Sequence, residues 1–428
     1  MKDYKTSLFK FIQNSPTAYH TVASVKARLV AAGYTELSEG AAWKLADGGK
    51  YFVTRNGSSV IAFRKNAAAR GFVITASHSD SPAFRVKASG ESAAGAYTKL
   101  PVERYGGMIL YSWLDRPLSI AGRAVTRTDD GIAVRLLNID RDLLVIPSVA
   151  IHLNRGVNEK FSPNPAQDLI PLLSASGETV KLNALIADEL GVKPEDVISH
   201  DLFLYVRDEG KTVGAKGELL LSPRLDDLGC VYSSLEAFLD SEEQGMTPVL
   251  AVFDNEEVGS DTKQGAASTF LFDTLSRVYP ERDEYLAALA SSYMISADNA
   301  HAKHPNHPEL SDADNAPVIN GGVVVKFNAN QKYTTDSISA AIFTEACRKV
   351  GVKHQTYYNR ADMPGGSTLG SIANTKVSIS TVDVGLPQLA MHSAVETAGA
   401  YDLFDMISVL TRLYSTEIGI KADKIIIK

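Results

Sequence analysis

The run Thr-Pro-Val-Leu-Ala-Val-Phe-Asp-Asn-Glu-Glu-Val-Gly-Ser, residues 247 to 260, carries an apolar stretch straight into two adjacent carboxylates, Glu256 and Glu257. A short apolar run of this kind, ending in turn residues, reads as a strand covered on both faces. Strands buried in that way belong to open α/β sheets, whose carboxyl ends are where ligands bind. Two acids on a surface helix would be solvated at little cost, but here they follow a buried strand. Neighbouring Glu residues at such a turn point in different directions, so one can ligate a metal while the other moves a proton.

The rest of the chain supports that sheet. Residues 5–32 read as an amphipathic helix interrupted near Ser15-Pro16, because Pro16 fixes φ and removes a donor. Tyr51 to Thr54, Val60 to Arg64 and Gly71 to Ala76 read as successive strands, the last ending at His78-Ser79-Asp80. From about Lys87 to Lys216 the texture shifts to short strand-like pieces, including Met108 to Ser112, Gly122 to Arg127 and Ile132 to Asn138, with few helical periods. Beyond Gly217 helices and strands alternate. Leu228 to Leu239, Ala266 to Arg277, Ser337 to Val350 and Val395 to Tyr414 read as helices, and Val249 to Asp254, Tyr293 to Ala297 and Lys376 to Ser380 as strands.

The expectation is an α/β fold: a three-layer α/β/α domain formed by 1–88 and 217–428, with an inserted β-rich unit over 89–216. A chain of 428 residues exceeds what one core usually absorbs, which agrees with two units. The formal charge of -7 argues against a nucleic-acid or anionic-membrane partner. Charges scattered through the first twenty residues leave no signal-peptide apolar region, and no apolar run is long enough to span a membrane. Cys230 and Cys347 are too few for a disulfide framework, so a reducing cytoplasm is the simplest location.

Five positions at strand or helix ends could carry chemistry. His78 and Asp80 lie two apart and so can share one side of an extended chain, where a carboxylate fixes the tautomer of the imidazole. On its own such a pair is more often structural. Asp226-Asp227 precedes an apolar helix, where Asp is also a favoured cap; the alternative is a carboxylate bridging two cations. Asp298 ends a strand and is followed by His301, His304 and His307, but Pro305 and Pro308 keep that stretch a loop. Asp298 therefore ranks above the three histidines as a ligand, and His301 and His304 are expected as hydrogen-bonding groups near the site. His392 completes the set. His78, Asp226, Glu257, Asp298 and His392 suit zinc better than calcium or an iron–sulfur cluster, with manganese or cobalt able to use the same donors. No Walker, dinucleotide or Gly-x-Ser-x-Gly signature accompanies them. Gly365-Gly366-Ser367-Thr368-Leu369-Gly370 lacks the Walker lysine and reads as a turn lining a substrate site, where Gly365 and Gly366 let backbone come close to a ligand.

In order along the chain, Ala76 to Pro82, Pro223 to Asp227, Asp254 to Ser260, Ala297 to His301 and Pro387 to Ser393 resemble the motifs of the aspartyl aminopeptidase family of dizinc metallopeptidases. Asn14 to His20 and Ala150 to Arg155 are similar to further segments of that family, so the likeness covers nearly the whole chain. The resemblance implies two zinc ions per subunit, one held by His78, Asp226 and Asp298 and the other by Asp226, Glu257 and His392. It implies that Glu256 is the general base, taking a proton from a metal-bound water, and that Asp80 orients His78. Lys326 would pair with an acidic side chain on the terminal residue of a peptide substrate, and His152 would reach a neighbouring subunit's active site. A tetrahedral dodecamer with the inserted unit at a dimer contact is implied as well. Two other readings use the same residues: a dizinc enzyme for neutral residues or small amides, and a non-catalytic scaffold. The second acid beside Glu257 argues against the scaffold, which gains nothing from it.

Overall fold

A computed structural model describes residues 2–242, 245–420 and 424–427. The remaining positions of the expected catalytic unit, 1, 243, 244, 421–423 and 428, lie outside the described residues. The main sheet has nine strands in the spatial order Thr35–Leu37, Lys50–Arg55, Ser59–Arg64, Thr247–Phe253, Phe72–His78, Tyr293–Ala297, Ser380–Gly385, Val323–Phe327 and His354–Tyr358. Its four central strands, Thr247–Phe253 to Ser380–Gly385, run parallel. Their carboxyl ends therefore share one edge of the sheet.

Period-two alternation in these strands builds the layers. Val73, Leu250 and Val252 face one way, into a core with helices Tyr4–Gln13, Ala18–Ala31, Leu225–Asp240, Ser337–Val350 and Ala400–Tyr414. Ile74, Val249 and Ala251 face the other way, against Phe270–Val278, Arg282–Ala290 and Leu369–Ala373. Helices thus cover both faces, and the α/β/α arrangement follows from strands that are apolar on both sides.

A second sheet is antiparallel and five-stranded, ordered Gly131–Asn138, Leu118–Thr128, Val197–Val206, Ala83–Val86 and Val102–Tyr105. It has its own core, in which Phe84, Trp113 and Leu118 meet Leu182 and Ile186 of the helix Leu182–Leu190. Its strand Ala83–Val86 lies on the amino-terminal side of residue 89. The outer strand Gly131–Asn138 exposes Ile132, Val134 and Leu136, alternate residues and hence one apolar face. A third sheet joins Lys211–Val213, Leu219–Ser222, Glu396–Gly399, Pro387–Leu389 and Ala300–His301. It ties together the segments that deliver Asp226, Asp298 and His392. Among the described residues no helix is long and apolar enough to cross a membrane.

Local expectations and structure agree at some elements and differ at others. The helical break near Pro16 is present, with Tyr4–Gln13 and Ala18–Ala31 on either side. Met108 to Ser112 is not a strand: the chain turns into a 3-10 helix at Leu110–Trp113, and Ser112 Oγ accepts from the Ala394 N–H at 2.9 Å. The strand expected at Lys376 to Ser380 lies instead at Ser380–Gly385, where buried Asp383 accepts from Thr334 and Thr368 hydroxyls. The last helix begins at Ala400, because Glu396–Gly399 pairs as a strand with Leu219–Ser222. The helix placed at Ala266 to Arg277 starts later, at Phe270–Val278.

Candidate metal centre

Strand Phe72–His78 and strand Thr247–Phe253 end side by side, with His78 opposite Phe253. Two residues beyond each end come Asp80 and Asn255. The imidazole of His78 is buried; its Nδ1 lies 3.1 Å from Asp80 O and 3.4 Å from Asp80 Oδ1, and its Nε2 lies 3.5 Å from Asp226 Oδ1. Asn255 is in the left-handed region at φ 63, which turns the chain sharply into a single 3-10 turn, Glu256–Val258. That turn is held from below: the N–H groups of Glu256 and Glu257 donate to Asp80 Oδ1 and Oδ2, each at 3.2 Å. Asp80 therefore supports His78 and both glutamates.

Asp226 and Asp227 have non-helical backbone at the start of the helix Leu225–Asp240, and the peptide between them is cis. Both carboxyls are buried. Asp227 Oδ2 accepts the His78 N–H at 3.2 Å. Asp298 follows strand Tyr293–Ala297, anchored by its N–H to Val384 O at 3.0 Å. His392 sits at φ 65 beyond strand Pro387–Leu389, and its Nε2 stands 3.5 Å from Asp226 Oδ2 and 3.4 Å from Glu257 Oε2. Glu396 fixes two of these groups at once. Its Oε2 accepts from the Asp226 N–H at 2.9 Å and its Oε1 from the His392 N–H at 2.7 Å.

Donor atoms converge in three overlapping groups, each within 4.8 Å: His78, Asp226, Asp227 and Asp298; Asp226, Glu257 and His392; His78, Glu256 and Glu257. Asp226 is common to the first two. Asp226 Oδ1, Asp227 Oδ1 and Glu257 Oε1 are buried with no hydrogen-bond partner among the described residues. Leaving such oxygens bare is expensive unless a cation takes them. Charge points the same way. Burial, opposed by His78 and aided by Asp298, Asp80 and Asp226, pushes Glu256 up to about 8. Burial likewise lifts Glu257, Asp227 and Asp298, aided in each case by a neighbouring carboxylate. Burial would raise Asp226 too, but the imidazoles of His392 and His78 hold it below the usual range. A buried set of mutually repelling carboxylates with two imidazoles fits zinc by donor type and by its unpaired oxygens.

Of the other expected residues, Lys326 borders the cluster at Asp298, and none belongs to the three donor groups. Lys326 is 2% exposed, and its ammonium donates to Asp298 O at 2.7 Å and Asn299 O at 3.2 Å, 3.8 Å from Asp298 Oδ2. Gly365 packs so tightly that a Cβ would come within 2.6 Å of Asn359 Oδ1, whereas Gly366 faces open space. His152 is exposed, between Asn138 and Leu172, and belongs to none of the three donor groups. His301, exposed to solvent, sets its ring edge-on to Tyr357 at 6.0 Å. His304 is exposed and accepts from the Asn306 N–H at 3.2 Å.

Sequence reasoning missed Glu396 and Tyr105, and it named Asp227 only as the second acid of the Asp226-Asp227 pair. Glu396 lies four residues past His392, a spacing that carries no signal unless the backbone conformation between them is known. Tyr105, whose hydroxyl donates to Asp80 Oδ2 at 2.7 Å, comes from the second sheet and has no sequence mark at all. A cavity of about 360 Å³ borders this cluster, with Asp80, Tyr105, Arg224 and Asp226 in its wall.

Comparison with known proteins agrees with this geometry. A profile of the aminopeptidase I zinc metalloprotease (M18) family matches residues 11–414. A probable M18 family aminopeptidase 2 of Clostridium acetobutylicum is 45% identical over 414 residues, spanning 94% of this chain and 96% of the relative. Among solved structures, a chain in the cryo-EM structure of the Ape4 and Nbr1 complex superposes with a TM-score of 0.93 at 34% identity, covering 96% of this chain and 85% of the other. The structure of the S. cerevisiae mApe1 dodecamer superposes with a TM-score of 0.83 at 26% identity, covering 96% and 95%.

Proposed function

Because the chain belongs to the M18 family of zinc metalloproteases and is an aminopeptidase, we propose that it removes an acidic amino-terminal residue from peptides, using two zinc ions and Glu256 as general base. The observation that carries this reading is the convergence of two imidazoles and several buried carboxylates, with unpaired oxygens on Asp226, Asp227 and Glu257. His78, Asp226 and Asp298 would hold one zinc and Asp226, Glu257 and His392 the other. Zinc bound there would supply Lewis acidity toward the scissile carbonyl and a water able to attack at neutral pH. Manganese or cobalt could use the same donors.

The chain's own groups do the rest. Glu256 takes the proton of the attacking water and returns it to the leaving amine. Burial and the neighbouring carboxylates raise this carboxyl, and cations bound beside it would draw it back toward the ionised form that accepts a proton. Asp80 keeps the His78 ring turned toward Asp226 while holding the turn that presents Glu256. Gly365 and Gly366 would line the path of the peptide.

For acidic specificity the proposed cation is Lys326, whose ammonium stands 3.8 Å from Asp298 Oδ2. A second reading, preference for neutral residues or small amides, draws support from the same side chain, since its ammonium already serves the carbonyls of Asp298 and Asn299. Aminoacyl reporters carrying Asp, Glu, Leu and Ala separate the two. Faster release of Asp and Glu is expected, and strong preference for Leu over Asp would remove Lys326 from its role.

Assembly belongs to the same proposal. The catalytic unit is taken as 1–88 with 217–428, and 89–216 as the insert that forms a dimer contact. The exposed face of Ile132, Val134 and Leu136 supports that contact, since apolar strand faces left open mark association sites. By likeness to the mApe1 dodecamer the assembly would be a dodecamer, and we take its arrangement to be tetrahedral. His152, exposed beyond the second sheet, would then reach a neighbouring subunit's site.

A further inference from the structure

The segment from Tyr105 to Ser112 leaves the second sheet at the end of strand Val102–Tyr105 and runs along the metal centre while Met108 and Leu110 pack on the core of that sheet. At one end the Tyr105 hydroxyl donates to Asp80 Oδ2 at 2.7 Å and accepts from Asn255 Nδ2 at 2.8 Å. The Asn255 amide is oriented by its other atom, since Asn255 Oδ1 accepts from Thr262 Oγ1 at 2.9 Å and Gln264 Nε2 at 2.7 Å. An amide nitrogen can only donate, so the tyrosine proton must point at Asp80. Gly106, at φ +76, passes so close that a Cβ would lie 3.1 Å from Glu257 Cβ. Further along, the Ile109 N–H donates to His392 O at 3.0 Å, and the Ala394 N–H donates to Ser112 Oγ at 2.9 Å.

We propose that residues 105–112 form a positioning strap by which the second sheet completes the metal centre, with Tyr105 a positioning residue for Glu256 and Glu257. The proposal rests on the zinc aminopeptidase reading above. Its logic is a chain of hydrogen bonds. Tyr105 fixes the rotation of the Asp80 carboxylate, and that carboxylate receives the N–H groups of both glutamates and faces His78. Without the hydroxyl, Asp80 loses its only side-chain donor from the second sheet among the described contacts, and the turn Glu256–Val258 loosens. Groups that orient metal ligands typically change metal affinity by about 10- to 100-fold when removed.

Tyr105→Phe in the full chain tests this, because the ring keeps its edge-on packing against Phe203 at 5.4 Å. Zinc affinity is read by chelator competition, and kcat and KM are read with a free-amine reporter. The expected result is zinc bound about 10-fold more weakly. A kcat lower by about 10-fold or more, with KM within about threefold, is expected beside it. Ser112→Ala releases the other end of the strap and is expected to weaken zinc binding by severalfold with Tyr105 intact. Wild-type zinc affinity and kcat in Tyr105→Phe, even with a lowered Tm, would overturn the proposal. Should that variant fail to fold, Ser112→Ala decides in the same way. A wild-type protein that binds no zinc would instead remove the underlying reading.

Discussion

Glu256→Gln keeps the volume of the side chain and the N–H bond to Asp80 while removing the ability to carry a proton. Zinc content is expected to stay at the wild-type level by elemental analysis, while kcat falls at least about 100-fold. Turnover left intact would take Glu256 out of the mechanism. A second residue-scale test lies away from the chemistry. His20 is buried in the helix Ala18–Ala31, its Nδ1 2.9 Å from Thr17 Oγ1, and burial with Arg224 nearby lowers its pKa from 6.5 to about 4. The unfolded chain therefore takes up a proton between about pH 6.5 and 4 that the folded chain refuses. Stability is full above pH 6.5 and is lost as the pH falls through that window, by about 3–4 kcal/mol at most. His20→Gln should show a shallower fall of Tm over that range than the wild type. Parallel Tm profiles would rule out His20 as a contributor.

At the scale of elements, the site depends on two neighbouring strands approaching closely at their carboxyl ends. Gly385 closes strand Ser380–Gly385 where a Cβ would lie 2.0 Å from Asp298 O and 2.9 Å from Asn299. Gly385→Ala is expected to lower stability by at least about 1–3 kcal/mol, because backbone must part to admit the methyl group. It should weaken zinc binding as well, since Asp298 is what moves. A variant with wild-type Tm and zinc affinity would mean that the strand edge does not set the position of Asp298. The central strands were legible because both faces are apolar, as in Thr247–Phe253. Ser380–Gly385 was harder to read because Thr381 and Asp383 break its apolar run, and Asp383 is polar only to receive Thr334 and Thr368. Residues His78, Asp226, Glu257, Asp298 and His392 were legible because each stands at a strand or helix end. Glu396 and Tyr105 were not, since their roles depend on backbone brought together from distant parts of the chain.

For the whole molecule, the buried carboxylates join the main sheet, the third sheet and the strap of the second sheet at one point. Cations there should hold these parts together as well as support chemistry, and a ligand that binds only the folded state stabilises by RT ln(1 + [L]/Kd). At a zinc concentration 100 times Kd that is about 2.7 kcal/mol. Tm should therefore fall on chelation and recover with added zinc. The most direct measurement counts zinc per chain in the purified protein before and after chelation, while following release of the first residue from a free peptide and from its N-acetylated twin. About two zinc ions per chain, cleavage of the free peptide alone, loss of cleavage with the metal and recovery on adding zinc back are expected. Cleavage that persists without metal, or equal cleavage of the acetylated peptide, would overturn the zinc aminopeptidase mechanism.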